Sequence, residues 1–183
     1  MRPYRLPVHP ARLALRIVAA GFAFAAAACA ASAEIKALPG KPAASLARAG
    51  LDGKRVDLNE MKGRVVLVNF WATWCEPCRD EMPSIERLRE KLRGRPFEVI
   101  TVNYGEGVEK INAFMRKQGL SLPVLLDPDK ESAQAWGAGG LPMTFLVDGE
   151  GRVRFSAFGE CDWSTGQPLR VVENLVAEAQ RAR

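Results

Sequence analysis

The chain has 183 residues, 48% of them apolar and 26% charged, with 26 lysines and arginines against 21 acids and one histidine. Four of the basic residues, Arg2, Arg5, Arg12 and Arg16, lie among the first 33, where there is no acid; the remainder carries 22 against 21, a net charge of +1, and gives no ground for a nucleic-acid partner. The only histidine, His9, lies there too, so a chain without that segment has no histidine base, histidine metal ligand or His-activated nucleophile.

The first 33 residues read as an export signal: arginines, then the apolar stretch Ile17 to Ala31, then Ala31-Ser32-Ala33 as a cleavage site, with the mature chain starting near Glu34. The apolar stretch falls short of the roughly 20 residues that span a bilayer. An uncleaved anchor, or a lipid at Cys29, are the alternatives to removal. About 150 residues remain, enough for one domain with its own core.

Residues 34 to 50 are small and rich in Pro and Gly and are taken as a linker, leading to an edge hairpin turning at Leu51-Asp52-Gly53-Lys54. Val65 to Phe70 is a continuous apolar run, which suits a strand buried on both faces. Met82, Ile85, Leu88 and Leu92 then recur at helical spacing, with Glu86, Arg87, Glu90 and Lys91 opposite and Gly94 to Pro96 as the stop. Phe97 to Val102 predicts a strand, Val108 to Gln118 a helix stopped by Gly119, Val124 to Leu126 a short strand, and Asp129 to Trp136 a brief helix. A hairpin follows, Thr144 to Val147 and Val153 to Phe158 around Asp148-Gly149-Glu150-Gly151, and an amphipathic helix closes the chain from about Gln167 to Ala182. Alternating strands and helices with a closing hairpin predict an α/β fold, a mixed sheet with helices on both faces, over residues 51 to 183.

The chemistry sits where the first strand meets the first helix, in Phe70-Trp71-Ala72-Thr73-Trp74-Cys75-Glu76-Pro77-Cys78. Cys75 falls near a helix N-terminus and Cys78 one turn on, and residues i and i+3 of a helix are about 5 to 6 Å apart, within reach of a disulfide. The positive end of the helix dipole favours a thiolate at Cys75, which should be exposed to react, and Pro77 suits a first helical turn. Glu76 opposes the thiolate by like charge. Structural zinc wants four Cys or His ligands, and only Cys75, Cys78 and Cys161 remain. Haem attachment wants His where Arg79 stands. A purely structural disulfide is the serious rival, but a bridge closing two residues restrains the unfolded chain little. Redox use is the preferred reading.

The string from Phe70 through Cys75-Glu76-Pro77-Cys78 to Arg79-Asp80-Glu81-Met82-Pro83 resembles the active-site segment of the TlpA/ResA/DsbE family of exported thioredoxin-like proteins. So do Leu51-Asp52-Gly53-Lys54, Met61-Lys62-Gly63-Arg64 and Gly140-Leu141-Pro142-Met143-Thr144. The resemblance implies a thioredoxin fold, Cys75 as the attacking thiol and Cys78 as the resolving one. It also implies a cis Pro142 against the disulfide, leaving the Leu141 backbone to pair with an incoming peptide. Glu81 matches the family's acid three residues after the second cysteine; either it exchanges a proton with the resolving thiol or it is an ordinary acid in a first helical turn. Trp74 is assigned to the substrate rim beside the thiols and Trp71 to the core. Pro83 should kink its helix.

No cofactor or metal is expected. Family likeness favours a reductant of partner cysteines, those of apo-cytochrome c or of a copper-site protein, recharged by a membrane thiol donor. The rivals are an oxidant or isomerase of the same fold, and a non-catalytic module binding peptide or metal through the same face. A peroxidase is disfavoured, since no Pro-x-x-x-Thr-x-x-Cys string is present. Cys161, in Phe158-Gly159-Glu160-Cys161-Asp162-Trp163, departs from the family pattern. It is free and part-buried, or paired between chains, or a second redox contact.

Overall fold

A computed structural model describes residues 33–182. Residues 1–32, with Cys29, His9 and all of the expected export signal but Ala33, lie outside them.

The central strand is β4, Val65–Trp71, with all seven residues buried. β5, Phe97–Tyr104, lies parallel to it, and β6, Val124–Asp127, parallel to β5. On the other side of β4 come β7, Met143–Val147, antiparallel to β4, and β8, Arg152–Phe158, antiparallel to β7. β1, Glu34–Pro42, completes a six-stranded mixed sheet in the order β1-β8-β7-β4-β5-β6.

Strand order dictates where the helices go. α1, Glu76–Lys91, connects β4 to β5, and α2, Val108–Gln118, connects β5 to β6. Both crossovers step the same way across the sheet, so right-handed connections place both helices on one face. The packing agrees: Met82, Ile85 and Leu88 of α1 and Ile111 and Met115 of α2 join Val65, Leu67 and Trp71 in one core cluster, with Val172, Leu175 and Val176 of α4, Gly166–Arg181. The alternate β4 residues Val66, Val68 and Phe70 pack on the other face with Ala133 of α3, Glu131–Ala135, and with Trp136, Phe145 and Leu58. A strand with apolar side chains on both faces needs both layers. Each fully buried side chain of this kind contributes about 1.5–3 kcal/mol.

Helix ends fall where the chain supplies stops. α2 ends at Gly119 in the left-handed conformation (φ 64°), and its amide closes onto the Met115 and Arg116 carbonyls. α1 runs unbroken from Glu76 to Lys91 through Pro83.

One expectation is corrected. Residues 34 to 50 are not a linker: β1 pairs antiparallel with β8 through Glu34↔Phe158 and Ala37↔Phe155, with an irregularity between Ala37 and Lys41 where Gly40 takes a positive φ. Strand pairing is made by backbone groups, and prolines 39 and 42 are tolerated because the outer edge of an edge strand needs no donors. Composition therefore hid the strand. The hairpin is present as β2, Ala47–Ala49, and β3, Arg55–Asp57, forming a two-stranded sheet of its own. It stands beside β6 through a bridge of Gly50 to Leu125, and Arg48 ties it down by ion pairs to Asp127 (3.2 Å), Asp129 (3.2 Å) and Glu131 (3.1 Å).

Candidate active site

Cys75 is the N-cap of α1. Its backbone is still extended (φ −83°, ψ 106°), and Pro77 occupies the first turn, where a missing N–H is harmless. Cys75 and Cys78 form a disulfide with Cα atoms 5.3 Å apart, and the Cys78 amide donates to Cys75 Sγ at 3.3 Å. That amide is placed to stabilise negative charge on Cys75 when the bridge opens. The two sulfurs differ in access: Cys75 is 5% exposed and Cys78 1%. The anticipated exposed thiol is thus reduced to a narrow window in the disulfide form, because the N-cap side chain folds back over its own helix end.

The segment before Cys75 is held by a carboxylate that sequence reading overlooked. Glu106, just after β5, accepts from the Thr73 amide (2.7 Å) and hydroxyl (2.6 Å) and from Asn103 Nδ2 (2.9 Å), and pairs with Lys110 (2.7 Å). Burial would raise its pKa, but the bonds from Lys110, Thr73 and Asn103 outweigh it and hold the carboxyl below the ordinary carboxylate range. The signal available in sequence was an acid one residue past a glycine at the end of a buried strand, the usual place for a site residue in a parallel sheet.

Glu81 is brought one turn beyond Cys78 and is 1% exposed. Burial pushes its carboxyl up to about 8; bonds from Trp163 and Thr144 oppose that, and nearby Glu160 adds to it. An ordinary first-turn acid would point to water, and this one does not. Trp163 Nε1 donates to Glu81 Oε1, Thr144 Oγ1 stands 3.5 Å from the same oxygen, and Thr144 accepts from Asn69 Nδ2 at 2.9 Å. The other oxygen, Oε2, is buried without a partner among the described residues. Ser84, one turn on from Glu81, accepts from the Trp163 amide (3.1 Å) and faces the carbonyls of Glu81 (2.7 Å) and Cys161 (3.2 Å). Trp163, Ser84 and Asn69 were likewise not foreseen.

Leu141–Pro142 is a cis peptide. The Pro142 carbonyl accepts from the Gly159 amide (3.0 Å), while the Leu141 N–H and C=O bond to nothing among the described residues. Gly140 has no side chain where the Phe158 ring lies: a Cβ there would meet Phe158 Cε2 at 2.5 Å. Trp74 is 61% exposed and Trp71 is fully buried, 5.2 Å from the Phe114 ring, which separates the two as expected. Cys161 is free and 3% exposed, so it is buried rather than part-buried. Burial, with Glu81, Asp162 and Glu160 nearby, pushes its thiol up to about 12.

Comparison with known proteins agrees with this fold. Residues 39–156 match the model of the AhpC/TSA family. The chain is 39% identical over 102 residues to a thiol-disulfide oxidoreductase ResA of Bacillus subtilis (strain 168), covering 56% of this chain and 57% of that one. It is 36% identical over 121 residues to a protein of the same name from Bacillus thuringiensis (strain Al Hakam), covering 66% and 70%. The crystal structure of a thiol:disulfide interchange protein from Chlorobium tepidum TLS, described as a thioredoxin family protein, superposes with a TM-score of 0.66 at 27% identity, over 77% of this chain and 99% of that one.

Proposed function

The chain belongs to the AhpC/TSA family and is a thiol-disulfide oxidoreductase of the ResA type, and on that premise we propose that it works as a reductant of disulfides in partner proteins through Cys75 and Cys78. In the reaction, the Cys75 thiolate attacks one sulfur of the partner's disulfide, forming a mixed disulfide and expelling a partner thiolate, which takes a proton from water. The Cys78 thiol passes its proton to Glu81 and attacks Cys75 Sγ. The second partner thiolate leaves, and the Cys75–Cys78 bridge is closed. Two electrons pass from the dithiol to the partner.

The observation that carries the direction is the acid on the redox turn. Glu76 lies between the cysteines. Negative charge beside a dithiol disfavours thiolate, and it is thiolate stabilisation in the reduced form that makes oxidants of this fold strong. The partner's chain would pair with the free Leu141 backbone beside Pro142, with Trp74 contributing apolar surface at the rim. The arginine-led apolar segment before residue 34 supports export, where apo-cytochrome c or copper-site cysteines need a reductant and a membrane thiol donor restores the dithiol.

A redox titration of the Cys75–Cys78 pair against a dithiol buffer tests the direction. A potential near or below about −270 mV, that of thioredoxin, is expected, and one near about −120 mV, that of a strong oxidant, would overturn the reductant reading.

A further inference from the structure

The two oxygens of the Glu81 carboxyl are not equivalent. An indole N–H can donate and cannot accept, so Trp163 Nε1 fixes Oε1 as an acceptor. The Thr144 hydroxyl already accepts from Asn69 Nδ2, which leaves its one hydrogen to point towards the same Oε1. Both neighbours of Oε1 are therefore donors, and a proton on that oxygen would face two other hydrogens. Oε2 has no partner. We infer that Trp163 is the positioning residue of the redox site: its indole reserves Oε1 and so confines the exchangeable proton of Glu81 to Oε2, the one oxygen free to trade it with a thiol.

This rests on the proposed role of Glu81 and adds the device that orients it. Trp163 is held at two points: its indole meets Glu81, and its backbone amide donates to Ser84 one turn further along α1. The segment after β8 is thereby strapped to the redox helix, and the carboxyl cannot rotate to exchange its oxygens without losing both donors. The titratable groups that act on Glu81 are Glu160 and Cys161 on that segment, and Cys78 precedes it by three residues on its own helix. In the resolving step the proton leaves Cys78 and is received on Oε2; in the reverse direction Oε2 returns it, and no other co-reactant is needed.

The test compares wild type, Trp163→Phe, Glu81→Gln and the double variant in the full chain. One readout is the pH profile of release of 2-nitro-5-thiobenzoate from its mixed disulfide with Cys75, and the other is the infrared C=O band of the protonated Glu81 carboxyl. Without the indole donor the carboxylate is less favoured, so Trp163→Phe should move the profile upward by on the order of one pH unit and the band to higher wavenumber. In the Glu81→Gln background the same substitution should leave the profile where Glu81→Gln puts it. Thr144→Val, which removes the weaker donor, should give a smaller shift in the same direction and serves if Trp163→Phe fails to fold. A Trp163→Phe effect of equal size with and without Glu81, or an unmoved profile and band, would overturn the inference. If Glu81→Gln itself leaves the profile unchanged while Trp163→Phe still moves the band, the proton-exchange role of Glu81 fails and the hydrogen-bonding part alone stands.

Discussion

Thr73 and Glu106, 33 residues apart in the chain, are joined twice, by the Thr73 amide at 2.7 Å and the Thr73 hydroxyl at 2.6 Å to the two carboxylate oxygens. Because Thr73 stands two residues before the N-cap Cys75, this clamp fixes the entry of the chain into the redox turn from the end of the neighbouring strand.

Glu106→Gln keeps the shape and removes the charge. It should cost about 1.5–3 kcal/mol of stability, the range for hydrogen bonds to a charged group, and slow the reaction of the dithiol with small disulfides several-fold by loosening the turn. Urea unfolding and stopped-flow kinetics check the two effects. Wild-type stability should carry a matching acid limb. The Glu106 carboxyl sits lower in the folded protein than in the unfolded chain, so its contribution is present above the ordinary glutamate value of 4.5 and is lost as pH falls through the depressed folded value. Glu106→Gln should flatten that limb.

Glu81 has the opposite sign. Its folded value is raised from 4.5 to about 8, so between those two the folded protein binds more protons than the unfolded chain and loses stability as pH rises. The loss should begin near pH 4.5, approach completion above pH 8, and reach on the order of a few kcal/mol. Chemical unfolding of the oxidised protein at pH 5, 7 and 9 measures it. Glu81→Gln should abolish most of the slope, and an unchanged slope would mean that the carboxyl is not buried in solution.

Cys161 should be chemically silent. It is buried, and its thiol is held up near 12, so iodoacetamide at neutral pH should leave it unmodified in the native protein and label it only after unfolding. Cys161→Ala should reduce a model disulfide at the wild-type rate. A large drop in that rate would give Cys161 a part in the electron path.

Much of this architecture was legible because it is locally encoded. The run Val65 to Phe70 announced a strand buried on both faces, Met82, Ile85, Leu88 and Leu92 the inner side of α1, and Gly119 the end of α2. The cysteine spacing and the strand-to-helix junction likewise carried the redox pair to its place. What escaped was set by distant partners. β1 is a strand because β8 offers it an edge, and nothing in residues 34 to 42 alone says so. Trp163 and Glu81 are 82 residues apart, and Glu106 and Thr73 33 apart. Each looks like an unremarkable polar or aromatic residue until the fold supplies its neighbour.

Arg48 gives a test of the fold independent of the chemistry. Its guanidinium meets Asp127, whose side chain is fully buried and also receives the amides of Ser132 and Ala133. Arg48→Ala should leave that carboxylate short of its cation and cost about 1–3 kcal/mol, with hydrogen exchange accelerated first in the β2–β3 hairpin.

The role of Cys75 as the attacking sulfur is tested most directly by trapping. Cys78→Ala, reduced and mixed with a peptide disulfide, should accumulate a one-to-one mixed disulfide that peptide mapping places on Cys75, whereas Cys75→Ala should form none. An adduct mapped to Cys161, or equal trapping by the two variants, would contradict it.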